Sequence, residues 1–142
     1  MLLRFRFVLA LLFGTAAGAG INMALIMLGP LLIAPPEGID MTSAEGLSAS
    51  MHLLRPMHFL MPFTAHAAGT LVGALVGSAI AVSHRLVIAY AIGIVFLGGG
   101  IAASFMIPAP TWFVVLDLAV AYLPMAHLGL FIANRLRRGA IT

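Results

Sequence analysis

The sequence contains no cysteine, no lysine and very little charge. Without cysteine, the chain cannot form a disulfide, a thiolate metal site, an iron–sulfur cluster or a cysteine nucleophile. Only 8% of its 142 residues are charged, whereas a soluble domain carries about 25% charged residues to cover its surface. These absences exclude a soluble domain and a large part of redox enzymology.

Apolar residues make up the bulk of what is present, at 63% of the chain. Crossing about 30 Å of hydrocarbon as a helix takes roughly 20 apolar residues, and four uncharged runs reach that length. The sequence therefore predicts an all-α integral membrane four-helix bundle that forms a single transmembrane domain over residues 1–142. We place the spans at about residues 7–29, 59–83, 86–106 and 112–133, with an outer loop over residues 30–58.

The first apolar run has two interpretations. Arg4 and Arg6 precede it, and Ala17-Gly18-Ala19 is similar to the cleavage site of a secretory signal peptide. The run continues without a polar break for about ten further residues, which favours a retained helix. We expect this helix to end near Gly29-Pro30, because proline is poorly tolerated in a helix interior.

The arginines predict the orientation of the bundle. Six of the seven fall before the first span, between the second and third, or after the fourth. By the positive-inside rule, we expect a multi-pass protein of the bacterial inner membrane with both termini in the cytoplasm. The net charge of +3 comes from seven arginines against four acidic residues. Because most of these arginines lie at the ends of spans, the charge reflects membrane topology, and we expect no nucleic-acid partner.

The outer loop contains a helix signal of its own. Thr42 and Glu45 form a capping-box pattern, which predicts a short amphipathic helix from about Ser43 to Leu54 on the outer surface. Arg55-Pro56 is expected to end it. Its apolar face would consist of Ala44, Leu47, Met51 and Leu54.

Small residues at intervals of four mark two of the spans. Such rows let helix backbones approach closely in a membrane. They favour ordinary packing within one chain, or the lining of a pore or an oligomer interface. The expected packing positions are Gly14 and Gly18 in the first span, Gly69, Gly73 and Gly77 in the second, and Gly100 in the third. In the fourth span, Pro124 cannot donate a hydrogen bond to Val120 and predicts a kink.

Polar residues at membrane depth are candidates for function, because a charge there costs at least about 2.5–3.5 kcal/mol. Asp117 and His66 lie at similar predicted depths in the fourth and second spans, so we expect them to form a hydrogen bond. Asn22 lies nearer the centre of the membrane, and Thr70 lies one turn from His66. These residues could form a structural pair with polar neighbours, a proton or cation relay, or a ligand site.

Metal, haem and catalytic sites have little support. The deep histidines His66 and His127 lie at different levels, which disfavours a haem with two histidine ligands. The sequence has no HExxH, GxSxG or phosphate-binding glycine loop. We expect no catalytic residue, no metal and no cofactor, although an enzyme or haem protein stays a third hypothesis.

Three stretches carry a resemblance: PPEGID, PMHFLMPFTAHAAGTLVGALVG and LDLAVAYLPMAHLG. Together they resemble a family of small, uncharacterised bacterial membrane proteins with four predicted spans. The resemblance implies an inner-membrane protein and brings no activity with it. The chain lacks the intramembrane glutamate near the start of the first helix that marks the small multidrug exporters.

Besides an enzyme or haem protein, the sequence supports two functional hypotheses. The first is a non-enzymatic protein that binds or translocates a small solute or ion in the lipid bilayer, as a homo-oligomer. The second is an accessory subunit that packs against other membrane subunits through its glycine faces.

Overall fold

The computed structural model describes residues 2–40 and 43–139, and all the regular structure in this part of the chain is helical. Two short 3₁₀ turns, Met51–Leu53 and Pro56–Phe59, follow the helix of the loop. The α-helices are α1 (Leu2–Leu32), α2 (Ala44–Ser50), α3 (Leu60–Ile80), α4 (Arg85–Met106), α5 (Thr111–Val120) and α6 (Leu123–Gly139).

In the part of the chain that the structure describes, four helical segments are long and apolar enough to cross a membrane, so the predicted four-helix membrane architecture is confirmed. They cover Phe5–Leu32, Pro56–Ile80, Arg85–Met106 and Thr111–Gly139, and the last contains both α5 and α6. Large apolar side chains such as Leu31 and Phe105 are at least 80% exposed on the outside of the bundle. That exposure suits a protein whose solvent is lipid.

Consecutive spans run in opposite directions, which gives the bundle two distinct ends. The end that carries α2 and the α4–α5 linker is called the loop end below. The opposite end is called the arginine end. There Arg85 donates one hydrogen bond to the carbonyl of Ala81 at 3.0 Å and another to Asn134 Oδ1 at 2.8 Å. Arg137 also reaches the carbonyl of Ala81, at 3.5 Å, so α3, α4 and α6 are joined there.

Three helices end away from the expected residues, and the last of them continues past residue 133 to Gly139. The first helix continues past Pro30 to Leu32, because Ile33 N–H still donates to the carbonyl of Gly29 at 2.8 Å. Proline removes only its own donor, so the last turn survives it. The second span ends at Ile80 and not at residue 83, because Ala81 is extended and His84 has a φ of 55°.

The helix of the outer loop forms, although it is shorter than predicted. It covers Ala44–Ser50 and tightens into a 3₁₀ turn that ends at Leu53. Ser43 is its N-cap, since Gly46 N–H donates to Ser43 Oγ at 3.0 Å. The cap predicted at Thr42 lies outside the described residues.

The two rows of small residues meet in the interface between α1 and α3. The rows run antiparallel, with Gly14 beside Gly73 and Gly18 beside Gly69. A Cβ atom at Gly73 would lie 3.0 Å from the carbonyl oxygen of Gly14. A Cβ atom at Gly77 would lie equally close to the carbonyl oxygen of Ala10, so the two backbones touch along roughly two turns.

This contact predicts a sharp difference between two glycines on the same helix. Gly18→Leu should destabilise the protein by roughly 1–3 kcal/mol or more, because the new side chain meets the backbone of α3. Gly20→Leu should change the unfolding free energy by less than about 0.5 kcal/mol, since open space surrounds that position. Thermal unfolding in detergent measures both. Equal unfolding temperatures for the two variants would contradict the close approach.

Packing is uneven along the bundle. At the arginine end, a cluster of fully buried apolar side chains joins α1, α3 and α4 through Ala10, Ala81, Ile88 and Ile92. A second cluster, which includes Ala74, Ala89 and Ala126, joins α3, α4 and α6. The loop-end half contains the cavities described below.

Candidate functional site

Asp117 and His66 meet inside the bundle between α5 and α3. His66 Nδ1 lies 2.9 Å from both carboxylate oxygens of Asp117. Asp117 is 4% exposed, and the His66 side chain is 23% exposed. The expected hydrogen bond between these two residues is therefore present, and its carboxylate is shielded from solvent while its imidazole remains accessible.

Tyr122 is a third member of this group, and the sequence analysis missed it. Its hydroxyl donates to Asp117 Oδ2 at 2.8 Å and lies 3.1 Å from His66 Nδ1. The side chain is 1% exposed and stacks beside the imidazole, with ring centroids 5.8 Å apart. We call His66, Asp117 and Tyr122 the polar triad.

A break in the fourth span brings Tyr122 to the carboxylate. In a continuous helix, residues five apart point about 140° away from each other, so Tyr122 and Asp117 would not share a face. The helix stops at Val120 and restarts at Leu123, so the expected kink at Pro124 takes the form of a break just before it. Pro124 was thus the sequence signal that could have pointed to Tyr122.

Two further predicted residues support the triad without belonging to it. A Cβ atom at Gly100 would collide with the Tyr122 hydroxyl, so glycine is required on α4 at this position. Thr70 is fully buried, and its hydroxyl donates to the backbone carbonyl of His66 at 2.8 Å. Thr70 therefore contacts the backbone of the site and not the imidazole or carboxylate.

The hydrogen bonds assign the protons of the triad. An ionised carboxylate only accepts, so with Asp117 charged both His66 Nδ1–H and Tyr122 O–H must donate to it. The neutral imidazole then carries its free electron pair on Nε2. That nitrogen can accept a further proton while Nδ1 stays bonded to the carboxylate.

The triad borders a cavity of about 300 Å³ at the loop end. Asp117 and His66 lie on its wall, and most of the remaining wall is apolar. Leu47, Met51 and Leu54 also line this cavity, so the apolar face predicted for the loop helix covers its mouth.

A second cavity, of about 390 Å³ and more open than the first, shares His66, Gly100 and Ala103 with it. Its wall includes Tyr122, His66 and, from α1, Thr15 and Asn22. Asn22 Oδ1 is buried and has no hydrogen-bond partner among the described residues. A buried acceptor without a partner costs about 1–3 kcal/mol, so it favours a donor group in this cavity.

The second cavity does not continue to the arginine end. Phe96 lies on its wall and also packs against the apolar cluster formed by Ile88 and Ile92. Ile88 and Ile92 are fully buried one turn apart on α4. Together with Phe96, they form an apolar layer between the second cavity and the arginine end.

A further polar pair lies on the outside of the bundle. Tyr90 Oη is 3.1 Å from His127 Nδ1, and His127 is exposed at the surface of α6. Within the described part of the chain, no three histidine, aspartate or glutamate side chains lie close enough to share a metal ion.

No protein family, curated protein or solved structure was found to match this chain. Any functional statement about it therefore depends on its own residues.

Proposed function

We propose that this chain is a non-enzymatic membrane protein that moves protons between its two cavities through the polar triad. The observation that carries the proposal is the position of His66. Its imidazole lies on the walls of both cavities while its Nδ1 is bonded to the buried carboxylate of Asp117. A group that accepts a proton from one side and releases it on the other needs this double access.

The chemistry of the three side chains suits the role. An imidazole exchanges protons near neutral pH, and a carboxylate beside it stabilises the imidazolium that forms. Asp117 faces the loop-end cavity, whereas Tyr122 faces the second cavity. The carboxylate of Asp117 can therefore accept a proton on the side of the loop-end cavity, whereas the Tyr122 hydroxyl can relay one on the other side only by passing its own proton on at the same time.

Asp117→Asn tests the proposal. Purified protein would be reconstituted into vesicles that contain a pH-sensitive dye, and proton flux would be driven by a potassium diffusion potential. We expect the flux to fall by about 100-fold, because an amide keeps a hydrogen bond to His66 but cannot take up a proton.

Glu37→Gln is the matched control, because it removes a carboxylate from the exposed outer loop. It should leave the flux unchanged. A merely structural pair would make Asp117→Asn equally silent, and that result would contradict the proton-transfer role.

The proposed location is the inner membrane of a bacterium, with the arginine end in the cytoplasm. Support comes from the positive-inside rule and from the gathering of Arg85 and Arg137 at one end of the bundle. Reporter fusions after residue 142 and near Ser48 should report opposite sides of the membrane. Signals from the same side would contradict this orientation.

The Tyr90–His127 pair favours a second function, that of an accessory subunit. Polar side chains in membrane spans usually face the interior of a bundle, but His127 is exposed on the outside. A neighbouring subunit, either another copy or a different chain, would cover the pair. Size analysis in mild detergent with mass spectrometry of associated chains distinguishes a homo-oligomer from a hetero-complex, and a monomer would exclude both.

A further inference from the structure

The loop-end cavity combines apolar walls with one acidic group. Of the 22 described residues that line it, only four have polar side chains, namely His58, His66, Ser104 and Asp117. Ser104 donates to the carbonyl of Ile101, and His58 Nδ1 accepts from Arg55 N–H, so both are already bonded. At about 300 Å³, the cavity reaches the lower end of the size range of small-molecule sites.

The charge of this cavity is unbalanced. None of its lining residues is an arginine, and the chain has no lysine. With His58 and His66 neutral, Asp117 carries the one formal charge among the described lining residues, and this residue is 4% exposed. A negative charge in such surroundings attracts a cation strongly, because little water screens it.

Hard inorganic cations do not fit this wall. Ca²⁺ takes six to eight oxygen ligands, whereas only Asp117 and Ser104 supply side-chain oxygens among the described lining residues. An organic cation differs, because its apolar body gains from contact with the wall. Phe59 and Phe113, whose ring centroids are 4.9 Å apart, also line the cavity, and aromatic rings attract cationic groups.

We propose that the loop-end cavity binds a small organic cation with an apolar body, whose charged group meets Asp117. This inference rests on the proposed function, since the same carboxylate would serve both the proton and the cation. Proton and cation would then compete for one site, which is the requirement for exchanging one for the other across the membrane.

Benzyltrimethylammonium is a suitable probe, because neopentylbenzene has the same shape with carbon in place of the charged nitrogen. Binding of each radiolabelled compound to the protein in lipid nanodiscs would be measured by equilibrium dialysis, with empty nanodiscs as blank. We expect saturable cation binding at one site per chain. Asp117→Asn should weaken it by about tenfold or more, while binding of the neutral compound stays unchanged.

A second pair of variants tests the charge without touching the triad. Met51→Arg places a cation on the cavity wall and should weaken cation binding by about tenfold, whereas Ala49→Arg, on the exposed side of the loop helix, should not. Glu37→Gln should also leave binding unchanged. Equal binding of the cation and the neutral compound would overturn the proposal. Unchanged cation binding in both Asp117→Asn and Met51→Arg would overturn it too.

The two proposals can fail separately. If Asp117→Asn abolishes proton flux but leaves cation binding intact, the cation site is wrong and the proton role stands. If it abolishes cation binding but leaves proton flux intact, the proton role is wrong and the carboxylate is a binding group only.

Discussion

His66→Leu is expected to destabilise the protein by about 1–3 kcal/mol or more, because it takes one of the two hydrogen-bond donors away from the buried carboxylate of Asp117. Asp117 would keep only the hydrogen bond from Tyr122 among its contacts within the triad, and it is buried in an apolar bundle. Asp117→Leu should cost less, because a neutral imidazole tolerates burial better than a carboxylate. Chemical unfolding in mixed micelles measures both changes.

An apolar replacement of the whole triad provides the control. The triple variant His66→Leu, Asp117→Leu and Tyr122→Phe leaves no member of the triad unpaired, so its stability should return to within about 1–2 kcal/mol of the unmodified protein. It should carry no proton flux. A triple variant less stable than His66→Leu would show that these residues are needed for packing and not only for mutual pairing.

The second large expected effect is on proton flux, and it comes from the apolar layer that Ile88 and Ile92 form toward the arginine end. Changing Ile88 and Ile92 together to serine should raise proton flux by about tenfold or more, because polar walls allow water into the space that the two side chains leave. The same two positions changed to alanine leave a similar space that stays dry, so flux should remain low.

A further variant separates a specific path from a general leak. Adding Asp117→Asn to the two serines should remove the extra flux if protons pass through the triad. Equal flux in the serine and alanine variants, or flux that ignores Asp117, would contradict a barrier placed in series with the triad.

The fold was largely predictable from the sequence, because hydrocarbon permits few solutions. Every backbone polar group must be bonded within a helix, so uncharged runs of sufficient length indicate spans directly. The ends of spans were harder to place. The backbone at Pro30 and at Ala81 depends on local hydrogen bonds, and a change in hydropathy does not reveal them.

Only those residues of the candidate site that meet because they lie at the same depth in the membrane could be predicted from the sequence. Asp117 and His66 lie at equal depth in apolar helices, and mutual pairing satisfies both. Tyr122 could not be placed in this way, because helical periodicity points it away from Asp117 until the break before Pro124 turns it. The two cavities depend on how the whole bundle packs, so no local pattern in the sequence indicates them.

The aromatic cluster at the loop end has a spectroscopic consequence. Trp112 is the one tryptophan of the chain, and its ring packs edge-on against Phe59 and Phe113 at centroid distances of 5.5 and 5.9 Å. Both phenylalanines also line the loop-end cavity. Indole emission from the unlabelled protein therefore comes from a single position that contacts two residues of the cavity wall, and its wavelength reports how polar the surroundings of that position are.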